Sequence, residues 1–471
     1  MNVMMPMLIE NRTFDEIQIG ETASVSRTLT EQDIQLFALV SGDVNPAHMD
    51  AAFAEDDIFH KVIAHGLWGG GLISNLLGTE LPGPGSIYLS QSLRFLRPVG
   101  LGDVVTASVT VTEKRAEHHV VLLDCRCVNQ RGEEVIVGKA EVKAPTGKVR
   151  RPRAALPDVQ LARHERYHAL LAAAQGGLPV PTAVVHPCDA ASIGSASEAA
   201  SLGLISPTLM GPRQKIEAAA AVAGVDISSF PLIDALHSHA AAARAVELVR
   251  AGEAQLLMKG SLHTDELISA VIDADTGLRT ERRISHVYLM DVPSYPRPLL
   301  ITDAAINVAP TLDEKADIIR NAIDLAHAIG IKTPRVAILA AVETVNPKMR
   351  STLDAAALCK MADRGQIVGG LLDGPLAFDN AISPEAAKEK GIVSPVAGIA
   401  DVLVVPELEA GNMLAKQLSF LAGADGAGIV LGARVPIILT SRADSQRTRI
   451  ASCALAVLVA RKATATAAPV S

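Results

Sequence analysis

The hydrophobic period of the chain changes once, near residue 148, and that change limits the fold more than any single motif does. Ahead of it, apolar and polar residues alternate strictly. In residues 104–112, Val105, Ala107, Val109 and Val111 alternate with Thr106, Ser108, Thr110 and Thr112. In residues 120–128, Val121, Leu123, Cys125 and Cys127 share one face and Asp124 and Arg126 the other. Ile136, Gly138, Ala140 and Val142 repeat the pattern after a turn at residues 129–132. Period-two runs joined by short turns predict antiparallel strands with one wet face. Beyond residue 165, apolar runs near 182–186, 255–258, 287–290, 299–302, 335–340, 402–405 and 436–439 alternate with Ala-rich helical stretches such as 238–250, 312–329 and 384–389. That rhythm predicts parallel sheets covered by helices, divided into two lobes. Between the two styles, Pro152, Pro157 and a cluster of basic residues read as a linker over residues 147–165.

Composition narrows the function classes. At ~150 residues per domain, the 471 residues of the chain suggest about three compact units. Apolar residues at 49% and charged residues at 20% exclude wholesale disorder. A net charge of -8 argues against general nucleic-acid binding, which needs a cationic field. The five cysteines are scattered, odd in number and form no C-x-x-C pair, so a reducing compartment is expected and no zinc knuckle. The first residues lack a signal-peptide pattern, and the apolar run 454–460 is too short to span a membrane. A cytoplasmic protein without membrane partners is expected.

Two groups of residues carry chemistry. In the first, Thr30 and Asp33 resemble a capping box that starts a helix, which breaks at Gly42 into a loop holding Asp43, Asn45, Pro46 and His48. His65-Gly66 then opens an uncharged stretch, residues 65–77, that reads as a helix buried on all sides. Metal binding by His48, His60 and His65 is the weaker reading, because no i, i+4 histidine pair lies on a regular helix, and no metal is expected. His118 and His119 read as solvent-facing strand residues.

Asp43-x-Asn45-Pro46-x-His48, His65-Gly66, Ser74 and residues 85–95 resemble the MaoC-like, R-specific enoyl-CoA hydratases over roughly residues 14–145. The resemblance implies a hot-dog fold, an antiparallel sheet wrapped round one central helix and paired into a dimer. It implies hydration of a 2-enoyl thioester, with Asp43 and His48 as the acid–base pair and the Gly66 N–H as a donor to the developing enolate. Asn45 and Ser74 are the substrate-side supports. A non-catalytic acyl-CoA module or a thioesterase remains the alternative.

The second group comprises residues 185–189 and 199–212, Lys259-Gly-Ser261-Leu-His-Thr264, Glu343 to Lys348, Gly374 to Ala381, Glu409-Ala-Gly-Asn412, and Ser441-Arg442-Ala-Asp444. Several follow a predicted strand, at the edge where open α/β sheets bind ligands. In this order they resemble the phosphate acetyl/butyryltransferases over about residues 166–460, nearer the butyryl branch. The resemblance implies two α/β lobes akin to isocitrate dehydrogenases, a homo-oligomer, and acyl-CoA and phosphate as substrates without a tightly bound cofactor. Arg442 is the expected phosphate ligand because a guanidinium matches phosphate bidentately. Ser441 is an expected donor to the leaving thiolate or oxyanion. Lys259, Ser261, Thr264, Asp379 and Asn412 are expected around the substrate. The acetyl branch places an aspartate where Thr448 stands here, so Asp444 is the alternative base. A hydride-transfer enzyme on the same fold is the rival; the chain has no Gly-x-Gly-x-x-Gly signature where a strand meets a helix. The expected whole is a hot-dog domain at 14–146, a linker at 147–165 and a two-lobed α/β domain at 166–471. It would act as a bifunctional acyl-CoA enzyme.

Overall fold

The computed structural model describes residues 8–157, 159, 165–441 and 443–467, with side chains through residue 464. It divides into two compact units, Met1–Val159 and Gln160–Ser471.

The first unit holds a five-stranded antiparallel sheet of β1 (Thr22–Thr28), β2 (Ile87–Phe95), β3 (Val104–Arg115), β4 (Val120–Asn129) and β5 (Glu134–Lys143), in the order β1-β3-β4-β5-β2. The alternation seen in the sequence sets its inner face: Val105, Ala107, Val109, Val121, Leu123 and Cys127 are fully buried. Helix α1 (Glu31–Ser41) starts at the Thr30 capping box and ends at Gly42, whose φ of 75° is left-handed. Helix α2 (Gly66–Thr79) lies against the sheet through Trp68, Gly69, Leu72, Ile73, Leu76 and Leu77. This is the expected hot-dog arrangement. Three sequence readings need correction. Helix α2 is not buried all round: Leu67, Gly71, Ser74 and Gly78 are exposed. His118 and His119 form a 3-10 turn before β4 rather than strand, and the His119 ring meets Phe14 edge-on. Arg150–Pro152, read as linker, pairs with Leu8–Glu10.

Glycine is required on β5 by close approach. A Cβ at Gly138 would lie 1.9 Å from the Ser92 carbonyl oxygen across the β2–β5 pairing. Gly138→Ala should therefore destabilise this unit by about 1–3 kcal/mol, read as a lower urea midpoint at constant slope. An unchanged midpoint would show that the two strands separate freely.

The second unit is built on one mixed sheet of eleven strands. They are β6 (Val180–Val185), β7 (Ile205–Gly211), β8 (Leu232–Asp234), β9 (Leu256–Lys259), β10 (Ser285–Asp291), β11 (Leu299–Thr302), β12 (Arg335–Leu339), β13 (Leu371–Leu376), β14 (Val402–Val404), β15 (Asp425–Leu431) and β16 (Ile437–Ile438). Their order is β8-β7-β6-β9-β16-β15-β10-β11-β14-β12-β13. The first five are mutually parallel, as are the last four. Between them β15 and β10 pair antiparallel with each other and with their outer neighbours. The two parallel runs point in opposite directions, so the two lobes expected from the sequence share a single sheet. Apolar strands buried on both faces, such as Leu256, Leu257 and Met258 of β9, are covered by Ala-rich helices. Among the described residues, no helix is long and apolar enough to cross a membrane.

Candidate functional sites

In the first unit the loop after α1 and the start of α2 bring three groups together. One carboxylate oxygen of Asp43 and one ring nitrogen each of His48 and His65 lie within 4.8 Å of one another. Local hydrogen bonds shape the loop. Asp43 Oδ1 accepts from the Asn45 N–H at 3.2 Å, and Asn45 Oδ1 accepts from the Ala47 N–H at 3.1 Å, capping the short helix Pro46–Met49. That helix carries His48, whose Nδ1 sits 2.9 Å from the Ile63 carbonyl. In its neutral form His48 therefore holds the proton on Nδ1 and leaves a lone pair on Nε2. His65 Nε2 meets the backbone carbonyl of Asp43 at 2.9 Å, and its ring stacks against His48 with 4.0 Å between centroids. The Phe37 ring of α1 also packs on His65, 4.9 Å between centroids.

His65 precedes α2 but gives it no side-chain cap; its carbonyl accepts from the Trp68 N–H at 3.0 Å, and the N–H groups of Gly66 and Leu67 stay open for a partner. The Gly66 end is exposed and faces the Phe95 ring, 3.1 Å from where a Cβ would be. The loop and the start of α2 thus bring Asp43 and His48 beside His65, the residue before Gly66, while Ser74 stands exposed two turns along α2. His60 bonds the Glu55 carbonyl and is not one of the three grouped residues. The part of His65 escaped the sequence reading. The sequence drew notice to it only as the residue before Gly66 and as a weaker metal-ligand candidate with His48 and His60; its approach to Asp43 depends on the fold.

In the second unit, Lys259 ends β9, Ser261 and Thr264 follow it, and Ser441 and Asp444 follow β16; the two are adjacent parallel strands ending at one sheet edge. Lys259 is buried, with its ammonium 3.4 Å from the Gly260 carbonyl. The Ser261 hydroxyl donates to the His186 carbonyl at 2.8 Å and accepts from the Cys188 N–H at 3.2 Å, so it fastens the loops after β6 and β9. Thr264 opens helix α3 (Thr264–Val271). Arg442 lies outside the described residues.

Asp444 accepts from the Ser441 N–H at 2.6 Å. Burial pushes its carboxyl above the usual carboxylate range, opposed by that hydrogen bond and by the charges of Arg449, Lys259 and Lys416. Buried Arg449 donates to the Ser441 carbonyl at 2.8 Å and to the Thr440 hydroxyl at 3.3 Å, and its Nε reaches the Asp444 carbonyl at 3.4 Å. It belongs to helix α5 (Gln446–Ala467) and holds the loop in shape. Lys416 lies on helix α4 (Leu408–Leu421), one turn beyond Asn412. Behind Asp444, burial and then the charge of Asp444 push the Tyr288 hydroxyl up to about 12. The His286 ring, 4.4 Å from Tyr288, is fully buried with both nitrogens unpartnered, and burial holds it down to about 3. The sequence reading missed Arg449, Lys416, Tyr288 and His286. The i, i+4 spacing of Asn412 and Lys416 was the one usable signal.

Asp379 and Asn412 follow β13 and β14, whose C-terminal ends lie at the opposite sheet edge from those of β9 and β16. Asp379 is exposed. The Asn412 amide donates to the Ala304 carbonyl at 3.2 Å, and Gly411 lets the helix approach the Asp303 carbonyl, 2.5 Å from a built Cβ. In this structure the Glu-Ala-Gly-Asn stretch holds the loop after β11. Asn380, beside Asp379, is buried and bonds Glu343, joining two of the stretches singled out in the sequence.

The raised carboxyl of Asp444 sets a stability prediction. A carboxylate whose folded pKa is raised adds stability at acid pH that is lost as pH rises through the folded value. Asp444→Asn should therefore raise the Tm at neutral pH, with the gain vanishing below the ordinary carboxylate range. Thermal melts across that pH span check it; a lower Tm at neutral pH would contradict it.

The family comparisons agree with this division. A phosphate acetyl/butaryl transferase model matches residues 235–457, and a MaoC-like domain model matches residues 16–124. The phosphate acetyltransferase of Rhizobium meliloti is 62% identical over 301 residues, covering 64% of this chain and 95% of that protein. The phosphate butyryltransferase of Clostridium acetobutylicum is 45% identical over 258 residues, covering 55% of this chain and 86% of that protein. A branched-chain phosphotransacylase from Enterococcus faecalis has a solved structure that is 28% identical with a TM-score of 0.53, covering 60% of this chain and 99% of that one. The chain therefore belongs to the phosphate acetyl/butyryltransferase family and carries a MaoC-like hot-dog domain ahead of that family's module.

Proposed function

We propose that the chain is a bifunctional enzyme of acyl-CoA chemistry. The second unit exchanges CoA for phosphate on an acyl group, and the first hydrates short 2-enoyl-CoA to (R)-3-hydroxyacyl-CoA. The observation that carries the hydratase reading is the pairing of Asp43 with a His48 whose Nδ1 is tied to the Ile63 carbonyl. Hydration needs a base to take a proton from water as its oxygen bonds C3, and an acid to return one to C2. A carboxylate and an imidazole of fixed tautomer supply both. The thioester oxygen gains negative charge between these steps, and the open N–H groups at the start of α2, with the helix dipole behind them, stabilise it.

In the acyltransferase unit, a phosphate oxygen attacks the thioester carbonyl, the C–S bond breaks, and the CoA sulfur leaves as thiolate and takes up a proton. Arg442 keeps the phosphate-holding part that the resemblance gives it, and Ser441 and Lys259 keep the supporting parts it gives them. Asp444 acts as the proton-transferring group; Thr448, whose hydroxyl lies 3.0 Å from that of Ser445, has no acid–base function near neutral pH. Arg442→Gln should raise the KM for phosphate at least about tenfold, with crotonyl-CoA hydration unchanged. An unchanged KM would remove Arg442 from the phosphate site.

One assay panel tests the whole reading: acyl-CoAs and enoyl-CoAs of two to six carbons, each with and without phosphate. Phosphate-dependent CoA release and phosphate-independent loss of enoyl absorbance are expected. Free thiol released without phosphate would instead favour a hot-dog thioesterase. The edge strand β2 exposes Ile87, Leu89 and Phe95 by 55%, 51% and 54%. We read this apolar edge as paired with a second copy, to be checked by the mass in solution.

A further inference from the structure

We propose that Asp43, His48 and His65 form a three-ligand site for a divalent ion of borderline softness, Zn2+ foremost, and that the bound ion shuts off the acid–base pair. The site goes beyond the hydratase reading and stands on its own geometry. Two imidazoles and a carboxylate are a common donor set of open zinc sites, which leave a further position for water. The three donor atoms lie within 4.8 Å of one another. Around a tetrahedral ion at ~2.0–2.1 Å, neighbouring donors stand roughly 3.4 Å apart. Closing the difference needs a side-chain rotation, which Asp43, exposed at the loop surface, makes against its one 3.2 Å hydrogen bond from the Asn45 N–H.

The outer hydrogen bonds are already those of a metal site. Metal-ligating histidines hold the ring N–H that faces away from the ion on a carbonyl or carboxylate, which fixes the tautomer. Here both rings do so on backbone carbonyls: His48 Nδ1 on Ile63 and His65 Nε2 on Asp43, each at 2.9 Å. The nitrogens left with lone pairs are His48 Nε2 and His65 Nδ1. A second observation points the same way. His65 is only 3% exposed, and its Nδ1 is buried with no hydrogen-bond partner. Buried acceptors are normally satisfied, and a coordinated cation satisfies this one. The same ion would take the Asp43 oxygen and the His48 lone pair that hydration requires.

The test uses the full chain stripped of metal by EDTA. Titration with ZnCl2 by calorimetry, and with CoCl2 by visible absorption, should show a site lost or weakened ~10–100-fold in Asp43→Asn and in His48→Gln. Both substitutions fall on exposed or half-buried positions, and unchanged circular dichroism confirms that the variants fold. Crotonyl-CoA hydration by the unsubstituted chain should fall with the same Zn2+ dependence and return on adding EDTA. Zinc binding that is absent, or unchanged in both variants, overturns the proposal; the latter would place the ion at other histidines. The two readings fail separately. A chain that binds zinc at these residues but never hydrates crotonyl-CoA keeps the metal site and loses the hydratase. One that hydrates but binds no zinc does the reverse.

Discussion

Asp43→Asn should lower crotonyl-CoA hydration by ~10²–10⁴-fold, the usual worth of a positioned acid or base, while phosphate-dependent acyl transfer by the same preparation stays within about twofold. The substitution keeps the side chain's shape and its ability to accept from the Asn45 N–H. The loop should therefore survive and the loss should fall on kcat rather than KM. Asp43 belongs to the first compact unit and the acyltransferase residues to the second, which is why the two activities should separate. A variant that still hydrates at the original rate would remove the Asp43–His48 pair from the chemistry.

The second large effect should come from Arg449→Met. This guanidinium is buried and makes three contacts with the loop of residues 440–444: the Thr440 hydroxyl and the carbonyls of Ser441 and Asp444. Methionine replaces the stem and removes every donor, leaving the buried Thr440 hydroxyl and the two loop carbonyls without this partner. We expect acyl transfer to drop by about 10²-fold or more, since an ångström of misplacement at a reacting centre costs that much. Hydration should be unchanged. Because Arg449 positions the loop, Arg449→Lys should restore part of kcat without restoring the original pH profile, as the charge acting on Asp444 moves. Full acyl transfer in the methionine variant would show that the loop holds its shape without Arg449.

The parts of the fold that could be read in advance are those where one physical demand dominates. Strict alternation in β3, β4 and β5 survives because one face is buried and the other wet, and Val105, Leu123 and Val142 are all inside. The apolar strands of the second unit were legible for the same reason. Strands β7, β13 and β15 were not; they carry Pro207, Gly374-Pro375, and Gly426 and Gly428, residue types that strand interiors normally avoid. Gly428 shows the tertiary cause: a Cβ there would come 3.0 Å from His286 Nε2 and 3.1 Å from the Tyr288 ring, so the gap serves packing across the sheet. Helix α2 looked buried all round because glycine and leucine carry no charge, yet of its three consecutive glycines only Gly69 would bring a Cβ within 3 Å of a neighbour, the terminal methyl of Ile136 at 2.4 Å. The Asp43–His48 loop was legible since its members are near neighbours in the chain. His65, Arg449 and Lys416 depend on segments that meet only in the folded state.

The measurement that reaches the central claim most directly is the fate of crotonyl-CoA incubated with the full chain in phosphate-free buffer. Chiral analysis of the thioester should find (R)-3-hydroxybutyryl-CoA, formed at a rate that added phosphate does not change. Free CoA with unhydrated crotonate as the product, or intact crotonyl-CoA beside a working phosphate acyltransferase, would contradict the account.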